Sequence, residues 1–195
     1  MRIYVLRHGE TDLNKKHVMQ GWLDEPLNEN GRALAARAGR ALGGIRFDAC
    51  YSSPLRRAAE TAAIILRESG NTIPVTTDER LREICFGELD GTALPPETEA
   101  RFFSDPRSLD PFPGGEHVED VCRRTQAFLH ELIRKDGVFL VSTHGCALRA
   151  MLNPLYADPS DFWQGRVPPN CAVTVIGREN GAPVILENDR ILPIE

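Results

Sequence analysis

Hydrophobic residues along the chain alternate between short unbroken runs and longer stretches with helical spacing. Residues 3–6 (IYVL) form an unbroken apolar run, which is typical of a strand buried on both faces. Over residues 27–45, apolar or small residues recur every three or four positions, with arginines between them. This spacing predicts an amphipathic helix that ends at Gly43-Gly44.

The rest of the chain repeats this alternation up to a final pair of strands. The pattern predicts further strands over residues 47–53, 73–75 and 138–145, and further helices over residues 54–69, over 116–135 and from Gly145 to Asn153-Pro154. Residues 172–176 and 184–186 predict two late strands joined through Asn180-Gly181, a hairpin signal. Such alternation predicts an α/β fold with three layers: a mainly parallel sheet, helices on both faces and one antiparallel edge strand.

Chain length and proline content predict the domain organisation. With 195 residues the chain can bury a sizeable core, and we expect a single domain over residues 1–195. Residues 92–115 interrupt the alternation, because they hold five prolines, Pro95, Pro96, Pro106, Pro111 and Pro113. This composition is typical of loops, and we expect a loop-rich lid insertion with one short helix.

Composition argues against several classes of partner and site. The 23 basic and 28 acidic residues give a net charge of −5, which argues against nucleic acid or an anionic membrane as the main partner. The five cysteines are widely spaced and form no C-x-x-C pair, so neither a disulfide framework nor a zinc site is predicted. No apolar stretch is long enough for a signal-peptide core or a membrane span, and we expect a soluble, cytoplasmic protein.

Two histidine-glycine pairs, His8-Gly9 and His144-Gly145, each follow a predicted buried strand. A lone histidine in such a place is most simply an ordinary strand-end residue. Ligands of open α/β sheets, however, bind at the carboxyl ends of the strands, and two such pairs favour a shared site.

Two further segments add charged residues to the same edge of the sheet. The segment SSPLRRAAET opens a helix with Arg56 and Arg57, which lie about 100° apart on it, so only one of them easily faces a site. The segment LREICFGELDG contains Glu83 between apolar Leu81 and Phe86. A carboxylate in apolar surroundings is a candidate acid-base group.

Five motifs in order resemble those of the histidine phosphatase superfamily, also called the phosphoglycerate mutase-like family. They are LRHGET, SSPLRRAAETA, LREICFGELDG, PGGEHVEDV and STHGCALRAML. The resemblance runs from residue 3 to about residue 176, which is nearly the whole chain. It implies the same layered α/β fold and phosphoryl-transfer chemistry.

The resemblance also implies a role for each matching residue. His8 is the expected nucleophile that becomes phosphorylated, and Glu83 is the expected proton donor to the leaving group. The residues expected to bind the phosphoryl oxygens are Arg7, Arg57 and His144, with Asn14, Gln20 and Gly21 as further residues of the phosphate pocket. Neither a metal nor a cofactor is implied.

Elementary electrostatics supports these roles. A phosphomonoester carries a charge of roughly −1.5 to −2, which arginine neutralises with its planar, bidentate fork. His8 must attack as a neutral imidazole, so we expect its other N–H to donate to a nearby backbone carbonyl and Arg7 and Arg57 to lower its pKa. A protonated His144 would add a third cation.

Three more residues have expected roles in this chemistry. Glycines at positions 9 and 145 would let the phosphate approach the backbone, and Gly145, at a helix start, could present its N–H to the anion. Glu83 needs a raised pKa to carry a proton near neutrality, which burial beside an anionic phosphate would supply.

Two other chemistries are possible for these residues. His8, His17 and His144 with Asp12 could form a metal site, but arginines in the same cluster would repel a cation. Cys146, at a helix start, could be a reactive thiol with a lowered pKa, although a small buried packing residue is the simpler interpretation.

The acceptor of the phosphoryl group separates a hydrolase from a mutase. Phosphoglycerate mutases of the family carry adjacent arginines in the insertion, whereas residues 92–113 here offer only Arg101 and Arg107, which are separated by apolar residues. An apolar cover suits organic phosphomonoesters better than small bisphosphates. We therefore favour a phosphatase similar to the small bacterial enzymes of the family, including those acting on α-ribazole phosphate.

Several alternatives stay open on the sequence alone. The first is a cofactor-dependent phosphoglycerate mutase, and a phosphoprotein phosphatase is more remote because the lid would hinder a bulky substrate. A binding module without activity would be expected to lack His8, Arg57, Glu83 or His144, and all four are present. The expected partner is a small phosphorylated metabolite, and the oligomeric state is open, a homodimer included.

Overall fold

The computed structural model describes residues 1–192, and these form one six-stranded sheet with helices around it. Residues 193–195 of the predicted domain lie outside the described residues. The strands are β1 (Arg2–Arg7), β2 (Ala49–Ser52), β3 (Val75–Thr77), β4 (Val138–Thr143), β5 (Val173–Glu179) and β6 (Ala182–Arg190). The α-helices are α1 (Asp12–Lys15), α2 (Glu29–Ala41), α3 (Arg56–Glu68), α4 (Pro96–Ser104), α5 (Val118–Leu132) and α6 (Gly145–Leu152).

The sheet is parallel except at one edge. The strand order is β3-β2-β4-β1-β5-β6. The first four strands in this order pair in parallel, β5 runs antiparallel to β1, and β6 runs antiparallel to β5. The predicted fold class is confirmed, with the antiparallel part formed by a hairpin at the edge.

The sheet separates two apolar cores, and β1 contributes to both. Tyr4 and Leu6 pack with residues of α2 and α3, whereas Ile3 and Val5 pack with residues of α5 and α6. Successive side chains of a strand point to opposite faces, so an unbroken apolar run must be covered on both sides. The run IYVL therefore produces the three-layer arrangement.

Element boundaries differ from the predictions where a local interaction intervenes. Strand β3 begins at Val75 rather than at residue 73, because Pro74 has no N–H to donate to the neighbouring strand. The hairpin between β5 and β6 is confirmed: Asn180 and Gly181 have φ angles of 51° and 84°, which a tight two-residue turn requires. The two strands extend beyond the predicted ranges on both sides of this turn.

The insertion, residues 92–115, is more ordered than the prediction of loops with one short helix. It contains α4 and a 3₁₀ turn over Pro106–Ser108. Phe102 of α4 packs into a third apolar core with Phe86 and Trp163, and the Trp163 indole N–H donates to the Phe102 carbonyl at 2.8 Å. Among the helices of residues 1–192, none has the length and apolar character needed to cross a bilayer.

Candidate active site

Three adjacent parallel strands end at the same edge of the sheet and deliver the candidate residues there. The His8 N–H, just after β1, donates to the Thr143 carbonyl of β4 at 2.9 Å. The Ser53 N–H, just after β2, donates to the Ser142 carbonyl at 3.0 Å. The two histidine-glycine pairs and the start of α3 are thereby brought together, as the sequence predicts.

The His8 imidazole is oriented as a nucleophile. Its Nδ1 lies 2.6 Å from the Gly9 carbonyl oxygen, which can only accept, so Nδ1 carries the proton. Nε2 is then unprotonated and accepts a hydrogen bond from Arg57 Nε at 3.3 Å. Burial, with the nearby charges of Arg57 and Arg7, holds the pKa of His8 well below its usual range. The expected neutral imidazole, anchored on a backbone carbonyl, is confirmed. Burial is the largest cause of the lowered pKa of His8, ahead of the two arginines.

Arg57 is fully buried and binds a loop as well as His8. Its Nη1 and Nη2 donate to the carbonyls of Leu23 and Gly21 at 2.8 and 2.7 Å. The Asp90 carboxylate accepts the N–H groups of Gly21, Trp22 and Leu23 at 2.7 to 2.8 Å. The loop of residues 21–23 is thus held through its N–H groups by Asp90 and through its carbonyls by Arg57. Burial lowers the pKa of Arg57 to about 10.

His144 adjoins His8, and its surroundings favour the neutral form of the imidazole. The two ring centroids are 5.1 Å apart, and His144 Nε2 lies 2.7 Å from Ser53 Oγ. Burial, together with Arg57 and His8, holds the pKa of His144 well below its usual range. Burial beside an arginine therefore favours the neutral imidazole here, and the role of a protonated His144 as a third cation on the phosphoryl group stays a prediction.

The Glu83 carboxylate lies at the start of α6. Its oxygens accept the N–H groups of Cys146 and Ala147 at 3.1 and 2.9 Å, and that of Ile84 at 3.0 Å. The predicted anion site at this helix start is thus occupied by a side chain of the protein itself. Glu83 is buried and lines a cavity, as expected; the requirement that it carry a proton stays a prediction.

The backbone around Glu83 is clamped by two side chains. The Trp22 indole N–H and Arg124 Nη2 both donate to the Glu83 carbonyl at 2.9 Å. Arg124 also forms a bidentate ion pair with Glu116, and Glu116 accepts the Cys85 N–H at 3.0 Å. These contacts hold the Glu83 segment against the start of α5.

A cavity of about 340 Å³ opens beside His8. Its polar end contains Arg7, His8, Asn14, Gln20, Glu83, Gly145 and Asn170. Its other lining residues are His17, Val18, Met19, Phe86, Glu99, Phe102, Phe103, Cys146, Trp163 and Val167. Arg57 and His144 are not among the lining residues: they contact His8 but are fully buried, whereas Arg56 is exposed.

The polar end offers hydrogen-bond donors that have no partner. In the part of the chain that the structure describes, only four buried side-chain atoms lack one: Arg7 Nε, Gln20 Nε2, His144 Nδ1 and Arg149 Nε. Arg7 donates through Nη1 to the Pro168 carbonyl at 2.8 Å, and Gln20 Oε1 accepts from the Thr11 hydroxyl at 2.9 Å, which fixes both side chains. Buried unpaired donors are costly and indicate a binding site.

Two predicted glycine roles change. Gly21 does not line the cavity, because its N–H binds Asp90 and its carbonyl binds Arg57. Gly9 is required by packing rather than by phosphate approach, since a Cβ there would lie 2.6 Å from the Gly31 carbonyl oxygen of α2. Gly145 lines the cavity as expected.

The alternative chemistries find no support in the described residues. Cys146 is buried, and burial raises the pKa of its thiol well above its usual range, which supports the preferred interpretation of a packing residue over that of a reactive thiol. Within residues 1–192, no group of three or more His, Cys, Asp or Glu residues is placed to hold a metal ion.

Four residues near the site were not identified from the sequence: Ser53, Asp90, Arg124 and Asn170. The Asn170 amide donates to the His8 carbonyl at 2.9 Å from a proline-rich loop 162 positions away. Ser53 lies within the quoted motif SSPLRRAAET, so the motif itself was a signal. Asp90 likewise lies within the motif LREICFGELDG. For Arg124 and Asn170 the contacts are long-range, and no local pattern indicates them.

Comparison with known proteins agrees with this geometry. The model of the histidine phosphatase superfamily (branch 1) matches residues 3–189. A 2,3-bisphosphoglycerate-dependent phosphoglycerate mutase of Methylobacterium sp. (strain 4-46) is 41% identical over 166 residues, which cover 77% of this chain and 79% of that one.

Solved structures match over nearly the whole chain. Bacillus stearothermophilus YhfR has 34% identity and a TM-score of 0.85, with 95% of each chain covered. A mycobacterial glucosyl-3-phosphoglycerate phosphatase has 28% identity and a TM-score of 0.82, with 95% of this chain and 97% of that chain covered. With the strand-end histidines and the donor-lined cavity, these matches show that the chain belongs to branch 1 of the histidine phosphatase superfamily.

Proposed function

We propose that this protein is a phosphatase that hydrolyses small organic phosphomonoesters through a phosphohistidine at Nε2 of His8. The observation that carries the proposal is the fixed tautomer of His8: Nδ1–H donates to the Gly9 carbonyl, so Nε2 carries no proton and has a lone pair, which faces Arg57 Nε at 3.3 Å. The unpaired donors of Arg7 and Gln20 in the same cavity would bind the phosphoryl oxygens.

The reaction would proceed in two steps. Nε2 of His8 attacks phosphorus, the P–O bond to the alcohol breaks, and Glu83 donates its proton to the departing oxygen. Glu83 then takes a proton from water, the water oxygen attacks phosphorus, and the P–N bond breaks to release phosphate and free His8. If Ser53 Oγ–H donates to Nε2 of His144, the proton of the neutral His144 ring is on Nδ1. The Nδ1–H of His144 is then a neutral hydrogen-bond donor near His8.

The charge of the cavity favours water over a second phosphorylated substrate as acceptor. Arg101 donates to the Ser108 carbonyl at 2.8 Å, and Arg107 binds Asp105 and the Pro159 carbonyl at 3.0 and 3.1 Å. Neither arginine lines the cavity, while Glu99 does. A bisphosphate would therefore meet a carboxylate where a mutase needs a cation.

A phosphoglycerate mutase is the second candidate, favoured by the names of the curated relatives such as that of Methylobacterium sp.. The cover that α4 forms over part of the cavity suits a small metabolite better than a phosphoprotein. We further propose a cytoplasmic location, which suits five thiols that are all unpaired.

A comparison of two histidine variants tests the chemistry. His8→Asn should lower hydrolysis of p-nitrophenyl phosphate in the presence of EDTA by at least about 1,000-fold, because the nucleophile is lost. His17→Asn is the matched control: it changes another histidine that lines the cavity, at a φ of 54° that asparagine tolerates. It should retain activity within a few-fold, and comparable activity of His8→Asn would contradict the phosphohistidine route.

The acceptor is tested with 3-phosphoglycerate and a trace of 2,3-bisphosphoglycerate. Inorganic phosphate and 2-phosphoglycerate are measured in the same reaction. A phosphatase releases phosphate from a panel of esters and forms little 2-phosphoglycerate. Formation of 2-phosphoglycerate much faster than phosphate release would favour the mutase instead.

A further inference from the structure

The cavity face of α4 combines one carboxylate with two aromatic rings. Glu99, Phe102 and Phe103 lie three and four positions apart on this helix, so they share one face, and all three line the cavity. Glu97 and Glu99 are both exposed, but Glu97, two positions earlier, does not line the cavity. The face of α4 that covers the cavity is therefore both acidic and aromatic.

Two further aromatic rings, those of Phe86 and Trp163, continue this face around the cavity. Phe102 lies 5.5 Å from both Phe86 and Trp163, and Phe103 lies 5.6 Å from Trp163, measured between ring centroids. The Trp163 N–H is already bonded to the Phe102 carbonyl, so its ring offers only π and apolar surface. Such rings carry negative charge on their faces.

Glu99 has no counter-ion in the structure. Over residues 1–192, its carboxylate takes part in no ion pair or side-chain hydrogen bond, although fourteen other ion pairs are formed there. The arginine of the lining is Arg7, which belongs to the polar end with His8. Outside the polar end, the lining therefore contains one carboxylate without a counter-ion and four aromatic side chains, of which Phe103 is the most exposed, and His17 is its only basic side chain.

We infer that the preferred substrates of this site are phosphomonoesters whose alcohol carries an alkylated or primary ammonium group. The phosphoryl group would bind at His8 and Arg7, and the ammonium group would lie between Glu99 and the rings of Phe102, Phe103 and Trp163. An ammonium group is attracted both by a carboxylate and by the faces of aromatic rings, whereas an anionic leaving group is repelled by both. The inference rests on the proposed phosphatase activity and names its substrate class.

Matched ester pairs test the inference. The first pair is choline phosphate and 3,3-dimethylbutyl phosphate, which differ by a charged nitrogen in place of carbon. The second pair is 4-(2-aminoethyl)phenyl phosphate and 4-propylphenyl phosphate, which place the charge farther from phosphorus. For each pair the ratio of kcat/KM, cationic over neutral, is measured from phosphate release by the parent protein, Glu99→Gln and the control Glu97→Gln.

We expect the parent to favour the cationic ester of at least one pair by roughly ten-fold, a size typical of ion and cation–π contacts. Since an ammonium group also changes the leaving group itself, the decisive readout is the change of the ratio on mutation. Glu99→Gln should lower the ratio of that pair several-fold, and Glu97→Gln should leave it unchanged.

Two results would overturn the inference while leaving the phosphatase proposal intact. One is hydrolysis of the neutral esters as fast as the cationic ones in both pairs. The other is a ratio that Glu99→Gln does not alter. If His8→Asn releases phosphate from these esters as fast as the parent does, the proposed function itself fails, and the inference fails with it.

Discussion

At the scale of single residues, the two imidazoles of the site share a burial environment but differ in their partners. His8 donates to a backbone carbonyl, which fixes its tautomer, whereas His144 contacts the Ser53 hydroxyl, which can donate or accept. If Ser53 donates, Nδ1 of His144 carries the proton and can bind a phosphoryl oxygen. We infer that Ser53 is a positioning residue that acts through His144.

Ser53→Ala should lower kcat/KM for p-nitrophenyl phosphate by roughly ten-fold, because His144 loses the group that sets its tautomer. Ser52→Ala is the matched control: it removes a neighbouring buried hydroxyl, which donates to the Ser53 carbonyl at 2.8 Å and does not contact His144. Steady-state kinetics and thermal unfolding of both variants check the prediction. Equal kinetic losses in the two would show that Ser53 acts only through stability.

At the scale of elements, the Glu83 segment is held by α5 and α6 rather than by its own conformation. Arg124 of α5 donates to the Glu83 carbonyl, and the N–H groups at the start of α6 donate to the Glu83 carboxylate. The ion pair of Arg124 with Glu116 is mostly buried, with side-chain exposures of 17% and 20%. Two helices thereby set where a proton could be delivered.

Arg124→Ala should destabilise the fold by about 3 kcal/mol, since the Glu116 carboxylate is left without its partner. It should also slow the hydrolysis of alkyl phosphates by roughly ten-fold and that of p-nitrophenyl phosphate much less, because good leaving groups need little proton donation. Arg123→Ala is the control. Arg123 is the neighbouring residue of α5, and its side chain is 75% exposed in a surface ion pair with Asp120. Equal losses for both classes of ester would argue against a link from Arg124 to Glu83.

At the scale of the whole molecule, burying two neutral histidines makes stability depend on pH. Burial holds the pKa of His8 and that of His144 well below the value in an unfolded chain, about 6.5. Below pH 6.5 the unfolded state therefore binds protons that the folded state does not. Stability contributed by these groups is complete above pH 6.5 and is lost as the pH falls below it.

The free energy of unfolding should fall from pH 7 to pH 5 with a slope of up to about 1.4 kcal/mol per pH unit for each histidine. Urea titrations at several pH values measure this slope. The double variant His8→Asn, His144→Gln should show a clearly flatter dependence, because neither replacement titrates. An unchanged slope in the double variant would mean that other groups cause the acid sensitivity.

The pattern of apolar runs and helical spacings already specified the elements of this protein and which of their ends carry chemistry. The unbroken apolar runs at residues 3–6 and 138–141 specify buried strands, because side chains on both faces of such strands must be covered. Since parallel strands end at one edge, the positions of His8 and His144 just after them already implied a shared site. These inferences needed only local periodicity and the topology that it implies.

The charges and hydrogen bonds of the site residues depend instead on how distant segments pack together. Whether His144 is protonated depends on complete burial beside Arg57, and the partners of the Glu83 carboxylate come from a helix start more than sixty positions away. The reason for Gly9, its close approach to α2, is likewise a contact between distant segments. Desolvation and long-range hydrogen bonds arise when segments pack together, so no local pattern in the sequence can specify them.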